Sequence, residues 1–278
     1  MSGDLLSNEA AIRLTIFLSV LVAMAVWELA APRRRQEIPR LIRWTNNFGV
    51  VAIDAAFVRI VFPVTAVGAA LMAQGNGWGL FHFVGTWSWL EIIISIVVLD
   101  LAIYFQHRIF HSVPALWRLH RMHHADLEFD VTTGLRFHPL EIVISMAIKL
   151  LVVIALGAPA ISVLIFEVIL NATAMFNHSN VKLPKPVDRI LRLFVVTPDM
   201  HRVHHSVIRS ETDSNFGFNL PWWDWLFGTY ISDPRHGHEN MTVGLQGFRT
   251  VRDLWLDRML LQPLRHHQRS RRSDTSDR

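Results

Sequence analysis

Residues 107–124 read HRIFHSVPALWRLHRMHH and contain five of the chain's 15 histidines, and residues 201–205 read HRVHH and contain three more. The H-x-x-H-H pattern therefore occurs twice, whereas chance would produce it about 0.04 times in such a chain. Side chains four residues apart share one face of a helix, so His107 and His111 can bind one metal ion. Adjacent histidines diverge by about 100° around a helix, so each triple can contact two ions. The candidate ligands and catalytic residues of this predicted two-metal site are His107, His111, His120, His123, His124, His201, His204 and His205.

The composition indicates a membrane protein. Apolar residues make up 51% of the 278 residues and charged residues 18%, with a mean hydropathy of +0.29, a balance typical of polytopic membrane proteins. Predicted spans cover 12–31, 48–73 and 87–105, and a further apolar block, 142–176, is divided at Gly157-Ala158-Pro159 into two short helices. We therefore predict an all-α integral membrane protein with four to five transmembrane helices and a cytoplasmic helical cap that carries the metal site. No cleavable signal peptide is expected, because the first apolar segment is too long.

Basic residues predict the orientation of the spans. Arg33, Arg34, Arg35, Arg40 and Arg43 follow the first span, so this loop is expected in the cytoplasm and the N-terminus outside. The second span then leaves the cytoplasm and the third returns to it, carrying the first histidine pair to its cytoplasmic end. The hairpin of residues 142–176 leaves and returns again. Every candidate ligand is thereby expected on the cytoplasmic face.

Ionisable residues inside spans predict either buried pairs or a cavity lining. Lys149 and Glu167 lie nine residues either side of Ala158, so they are expected at similar depth as a buried pair. Asp54 and Arg59 in the second span have no such match. Either they line a substrate cavity or they form an architectural pair.

The types of candidate ligand restrict which metal ions the site can bind. Neutral imidazole suits zinc, copper, iron and nickel, and the absence of cysteine excludes disulfides and any zinc or iron–sulfur site ligated by cysteine from this chain. Carboxylates are expected to hydrogen-bond the second nitrogen of metal-bound imidazoles. Asp100 lies seven residues before His107 on the same helical face; it is either such a partner or a buried aspartate that fixes helix packing.

Other histidines carry weaker signals. Spacing alone leaves His138 and His178 open as ligands. Interfacial or hydrogen-bonding roles are expected for the isolated ones, which are His82, His236, His238, His266 and His267.

The segments around the third cluster are less apolar. Thr197-Pro198-Asp199 predicts an N-cap with proline at the first helical position, which starts the helix of that cluster. Residues 187–196 and 248–264 have amphipathic patterns and predict helices that lie on the membrane surface or pack within the cap. The chain therefore divides into N-terminal transmembrane helices (1–85), a catalytic domain (86–232), an amphipathic segment (233–264) and a basic, disordered tail (265–278).

The motifs together resemble the fatty acid hydroxylase/sterol desaturase superfamily of membrane non-haem di-iron oxygenases. The resemblance covers roughly residues 90 to 231. The chain looks most similar to bacterial sterol-desaturase-like members and is also similar to the tetrahydropterin-dependent alkylglycerol monooxygenase branch. Its motifs are H-x-x-x-H at 107–111, H-x-x-H-H at 120–124 and 201–205, RFHPLE at 136–141, NHSN at 177–180 and WDWLFGT at 223–229. The chain departs from the fatty acid 2-hydroxylase branch, because His178 has Ala174 four residues before it and Lys182 four after it.

The resemblance implies two non-haem iron ions, with His138 and His178 as additional ligands. It implies an O2-dependent hydroxylase or desaturase that acts on a sterol, fatty acyl or ether lipid taken from the bilayer, in a bacterial inner membrane. The chain has no cytochrome b5 domain, so an external electron donor is expected, either tetrahydropterin or a small redox protein. No nucleic-acid partner is expected. The alternatives are a histidine-rich metal transporter or a metal-binding protein without oxygenase activity.

Overall fold

A computed structural model describes residues 2–265 of the chain. The predicted tail from residue 266 onward, with His266 and His267, lies outside the described residues. The α-helices are α1 Ser2–Ser7, α2 Glu9–Ala30, α3 Arg40–Val61, α4 Ala66–Asn76, α5 Leu80–Val84, α6 Ser88–Ser112, α7 Pro114–His124, α8 Pro139–Leu156, α9 Ala160–Asn177, α10 Lys185–Leu191, α11 Pro198–His204, α12 Arg209–Thr212, α13 Trp222–Leu226, α14 Gly237–Asn240 and α15 Leu256–Leu260. Short 3₁₀ helices cover Thr133–Leu135, Val251–Leu254 and Gln262–Leu264. The described residues form no β-strand, only isolated bridges from Pro32 to Val181 and from Ser206 to Val243.

The predicted fold class is confirmed as predominantly helical with five candidate membrane-spanning segments. By length and composition these segments contain α2, α3, α6, α8 and α9, with mean hydropathies from 1.7 to 2.3. The helix α6 has 25 residues, which at about 1.5 Å per residue exceeds a ~30 Å hydrocarbon core.

The second predicted span is interrupted. The prediction ran one helix through 48–73, whereas α3 begins earlier, at Arg40, and ends at Val61. Pro63 lacks the backbone N–H that would continue the helix. The Oγ1 of Thr65 then accepts a hydrogen bond from the Gly68 N–H (3.0 Å) and starts α4 as a separate helix.

The α8–α9 hairpin forms as predicted and centres the apolar core. Gly157 adopts the left-handed conformation (φ 65°) between the two helices, where a side chain would be strained. The predicted pair is confirmed, because Lys149 Nζ lies 2.7 Å from Glu167 Oε1. Arg13 of α2 joins it at 2.5 Å from Glu167, so the first span is tied to the hairpin.

The C-terminal segment differs from the single amphipathic helix predicted over 248–264. It folds as two 3₁₀ helices and α15, because Trp255 has an extended backbone (φ −81°, ψ 145°) that interrupts the helix. Met259 is fully buried and packs with Val50 and Met122. This segment therefore packs on α3 and α7 within the cap.

A buried charged cluster ties α3 to the loop after α7. Arg43 donates to both carboxylate oxygens of Asp126, at 2.9 and 2.8 Å, and also contacts Asp130. The Oγ of Thr133 donates to Asp126 at 2.9 Å. Burial opposes ionisation of Asp126, but the charge and hydrogen bonds of Arg43 outweigh it and lower the pKa of Asp126 to about 2. The cluster fixes the chain immediately after the second histidine motif.

Candidate metal centre

Four helix ends bring the histidine motifs together. His107 and His111 lie on the last two turns of α6, and α7 begins directly afterwards at Pro114 and ends at His124. The helix α11 begins at Pro198 because the Oγ1 of Thr197 accepts from the Met200 N–H (3.4 Å), as the N-cap prediction required. Its histidines meet those of α6 and α7, and the end of α9 delivers His178 to the same place.

Nine buried histidines form two adjoining groups. In each group one ligand atom of every histidine lies within 4.8 Å of the others. The five-histidine group consists of His107, His111, His120, His124 and His204, and the four-histidine group of His123, His178, His201 and His205. Neighbouring Nε2 atoms lie close: 3.1 Å from His107 to His120 and 3.1 Å from His123 to His178.

The second ring nitrogen of most of these histidines has a hydrogen-bond acceptor on the outside of the group. A proton on Nδ1 satisfies that acceptor and leaves the Nε2 lone pair facing inward. The Nδ1 partners are the Phe216 carbonyl for His107 (2.9 Å), Asp213 for His111 (3.4 Å), Glu141 for His120 (2.6 Å), the Arg136 carbonyl for His123 (3.2 Å), the Ala174 carbonyl for His178 (2.8 Å) and the Ser214 carbonyl for His204 (2.6 Å).

Burial keeps the imidazoles outside the spans neutral. Desolvation lowers the pKa of His178 and of His204 to about 3. It also holds the pKa of His123, His124 and His205 well below the usual range. Neutral imidazole is the form that binds metals.

The two groups suit metal ions. Inward lone pairs about 3 Å apart repel each other, and a bound cation replaces that repulsion with coordination bonds. In addition, His205 Nε2 is buried without a hydrogen-bond partner among residues 2–265. An all-imidazole set is suited to iron, copper, zinc or nickel.

His138 lies outside both groups, which corrects the expectation that it is a ligand. It is the N-cap of α8: its Nδ1 accepts from the Leu140 N–H, and its Nε2 lies 3.2 Å from the Leu260 carbonyl. A residue at this position satisfies the first turn of a helix, so its ring is turned away from the metal groups. His178, by contrast, is in the four-histidine group.

Asp100 also differs from the role that the sequence suggested. Its Oδ2 accepts hydrogen bonds from the Trp223 indole (2.8 Å) and the Leu220 N–H (3.3 Å) rather than from an imidazole. It therefore fixes the packing of α13 on α6, the alternative that the sequence left open. The isolated His82, His236 and His238 belong to neither group.

Sequence reasoning missed the carboxylates that contact the ligands. Glu141 in the first turn of α8 accepts from His120, and Asp213 lies beside His111. Asp224 accepts from the backbone N–H groups of Phe216 and Gly217 (2.8 Å each) and so holds the carbonyl that contacts His107. An acidic residue within an apolar span was an available signal for Glu141. No sequence signal pointed to Asp213, because its contact with His111 joins residues far apart in the chain.

Two cavities reach the metal centre from different sides. The span cavity, of about 280 Å³, lies among α2, α3, α6, α8 and α9 and includes Phe137, Glu141 and Phe218 in its lining. Phe137 stacks on the His123 ring, with centroids 4.5 Å apart. The cap cavity, of about 640 Å³, is lined by His111, Trp117, Arg121, Arg209 and Phe248, among others. Each cavity therefore reaches a different edge of the centre.

The family model for fatty acid hydroxylases matches residues 92–229. The chain carries a fatty acid hydroxylase domain. This domain contains all nine histidines of the two groups, which confirms the superfamily that the motifs indicated.

Relatives that match part of the chain include an ornithine lipid hydroxylase and an alkylglycerol monooxygenase. The chain is 32% identical to ornithine lipid hydroxylase OlsE of Rhizobium tropici over 158 residues, 56% of this chain and 46% of the relative. It is 30% identical to alkylglycerol monooxygenase of Homo sapiens over 162 residues, 57% of this chain and 33% of the relative. A very-long-chain aldehyde decarbonylase of Oryza sativa subsp. indica is 26% identical over 207 residues, 70% of this chain and 29% of the relative. The chain thus spans less than half the length of each of these relatives, and no solved structure matches it significantly.

Proposed function

We propose that the chain is a membrane-bound, non-haem di-iron enzyme that uses O2 to hydroxylate a lipid. The observation that carries this proposal is the pair of adjoining groups of five and four buried histidines within a fatty acid hydroxylase domain. Iron is the proposed metal among those that imidazole suits. Hydroxylation is preferred to desaturation because two of the relatives described above are named as a hydroxylase and a monooxygenase.

The proposed reaction balances as RH + O2 + 2 e⁻ + 2 H⁺ → ROH + H2O. When bound, the iron supplies the activation of O2 that side chains alone lack. The protein holds the imidazoles in position: Glu141 and the backbone carbonyls keep the protons on Nδ1, so that the Nε2 atoms remain free for the metals. Asp213, at 35% side-chain exposure, is the more solvent-accessible of the two carboxylates beside the ligands and is the one we assign to proton exchange with water.

The lipid is proposed to enter through the span cavity. Its apolar lining, which includes Ile142 and Met146 of α8, excludes water and takes an acyl or alkyl chain. Phe137 lies between this cavity and the His123 ring. The substrate class comes from the relatives' names, which specify an ornithine lipid and alkylglycerols, and we propose a polar membrane lipid.

Electrons are proposed to arrive from the cap side. The cap cavity adjoins His111, and its arginines give it a positive surface, with the Arg209 guanidinium over the Trp117 ring at 5.3 Å. A small reductant such as a tetrahydropterin has the size to enter this cavity. An acidic redox protein has the charge that its positive surface attracts. With the predicted orientation, both approach from the cytoplasm of a bacterial cell.

Metal dependence tests the proposal. Purified protein in lipid nanodiscs is expected to hold about two iron ions per chain, to form a hydroxylated lipid with O2 and reductant, and to lose this activity on chelation. His205→Ala, in the four-histidine group, is expected to lower the metal content to about one, whereas His82→Ala, outside both groups, leaves it unchanged. Lipid oxidation that persists in metal-free protein would contradict the proposal. Metal flux across proteoliposomes without lipid oxidation would favour a transporter instead.

A further inference from the structure

Three buried oxygens without hydrogen-bond partners line the span cavity. They are Asp54 Oδ1 on α3, Gln106 Oε1 on α6 and Glu141 Oε2 on α8, and none has a partner among residues 2–265. Asp54 is only 8% exposed and Glu141 only 3%. A buried acceptor without a donor costs about 1–3 kcal/mol of stability, so three around one cavity indicate a ligand that supplies donors.

The acceptors lie at the metal side of the cavity. Glu141 Oε1 is 2.6 Å from the His120 Nδ1, while its Oε2 is left for the cavity. Gln106 directly precedes His107, and its amide N–H donates to Ser145 at 2.6 Å, which leaves its carbonyl oxygen free. Asp54 lines the same cavity as Gln106 and Glu141, from α3.

Other charges at the cavity are already balanced. Lys149 also lines it, but its ammonium donates to Glu167 at 2.7 Å. Arg59, five residues beyond Asp54, is exposed, and no ion pair joins it to Asp54 within residues 2–265. The polar atoms described above that lack a partner in this cavity are therefore hydrogen-bond acceptors.

We propose that Asp54, with Gln106 and Glu141, binds a hydrogen-bond donor on the lipid substrate, a hydroxyl or an ammonium group, and so determines which carbon faces the metal centre. This inference rests on the proposed function. A carboxyl group has an accepting oxygen whether or not it is protonated, so a hydroxyl can bind in either state, whereas an ammonium group is also attracted by the charge of an ionised Asp54. A donor held beside His107 and His120 places the oxidised carbon within a few bonds of the donor atom.

Binding of three matched probes tests the inference without turnover. Hexadecylamine and hexadecanol each present a donor, whereas hexadecyl methyl ether has only an acceptor. Their affinities for the metal-loaded full chain in nanodiscs are measured without O2 by native mass spectrometry. The wild type is expected to bind the amine or the alcohol about 10-fold more tightly than the ether.

Two substitutions at one position separate the donor types. Asp54→Leu removes the acceptor and is expected to abolish the preference while leaving ether binding intact. Asp54→Asn keeps an accepting oxygen but no charge, so we expect it to retain alcohol binding and to bind the amine less tightly than the wild type does. Ser95→Ala removes a buried hydroxyl of α6 that does not line the cavity and is expected to change nothing.

Equal binding of all three probes by the wild type would overturn the inference, as would a preference that survives Asp54→Leu. A thermal unfolding curve shows whether each variant is folded, and Asp54→Leu is expected to be at least as stable as the wild type. Because no turnover is measured, an Asp54-dependent preference without lipid oxidation would support the inference while contradicting the proposed function. Lipid oxidation without such a preference would support the proposed function and contradict the inference.

Discussion

Glu141 holds a ligand ring in position through a single hydrogen bond. Its Oε1 lies 2.6 Å from the His120 Nδ1, and both side chains are buried. The carboxylate fixes the proton on Nδ1 and raises the basicity of the Nε2. Glu141→Gln replaces the anion with a neutral amide, so we expect the affinity of the five-histidine group for metal to fall about 10-fold to 100-fold.

Titration with a chelator, followed by elemental analysis, measures this effect. Glu37→Gln is the matched control, because Glu37 is an exposed glutamate in the loop after α2. Unchanged metal affinity in Glu141→Gln would mean that the neighbouring carbonyl contacts alone fix the ligand rings.

Local spacing predicted eight of the nine grouped histidines, and the resemblance added His178. Spacing succeeded because i and i+4 residues on a helix face the same way whatever packs around them. It failed for Asp213 and Glu141, whose contacts with the histidines arise only when separate helices pack. His138 was assigned as a ligand, but its position before Pro139 makes it the N-cap of α8.

At the scale of elements, the Arg43 cluster joins α3 to the loop that follows α7. Arg43 is fully buried between Asp126 and Asp130. Removing one partner of a buried ion pair leaves uncompensated charge and costs about 3–5 kcal/mol. We therefore expect Arg43→Met to lower the free energy of unfolding by about that amount.

Unfolding in mixed detergent micelles, followed by helical circular dichroism, measures the loss. Arg35→Met, at an exposed position of the preceding loop, is the control and is expected to have little effect. A similar small effect for both substitutions would show that the cluster does not stabilise the cap.

The turn between α8 and α9 is packed against the loop between α4 and α5. A Cβ on Gly157 would lie 2.5 Å from the Trp78 carbonyl, and its φ is +65°. Gly85 has a similar φ of +61° but nothing within 4 Å. Gly85→Ala should therefore lower the free energy of unfolding only by the conformational cost, about 1–2 kcal/mol. Gly157→Ala should lower it by that cost and, in addition, by the clash with the Trp78 carbonyl.

Thermal unfolding midpoints of the two variants separate these contributions. The midpoint of Gly157→Ala is expected to fall clearly below that of Gly85→Ala. Equal midpoints would show that the two loops separate without loss of stability. The sequence predicted the turn at Gly157 but not this contact, because it joins segments about eighty residues apart.

The whole molecule places its metal centre where the candidate spans meet the cap. The spans were predictable from composition because each is long and apolar, although Pro63 divides the second. The side of the membrane on which the centre lies is still a prediction from the basic loop around Arg35. Because the chain contains no cysteine, single introduced cysteines report that side cleanly.

Arg35→Cys and Asn76→Cys are both at exposed positions, in the loop after α2 and at the end of α4. In spheroplasts, a membrane-impermeant maleimide is expected to label Asn76→Cys directly and Arg35→Cys only after the membrane is permeabilised. The reverse pattern would place the metal centre on the outer face and exclude a cytoplasmic reductant.

Labelling with ¹⁸O₂ shows whether the nine histidines hold metal for lipid hydroxylation. Cells expressing the chain are grown under ¹⁸O₂, and their lipids are compared by mass spectrometry with those of cells expressing His123→Ala. We predict a lipid that carries one ¹⁸O atom in cells with the wild-type chain and not in cells with the variant. The same labelled lipids in both kinds of cell, or no labelled lipid that depends on the chain, would contradict this role of the histidines.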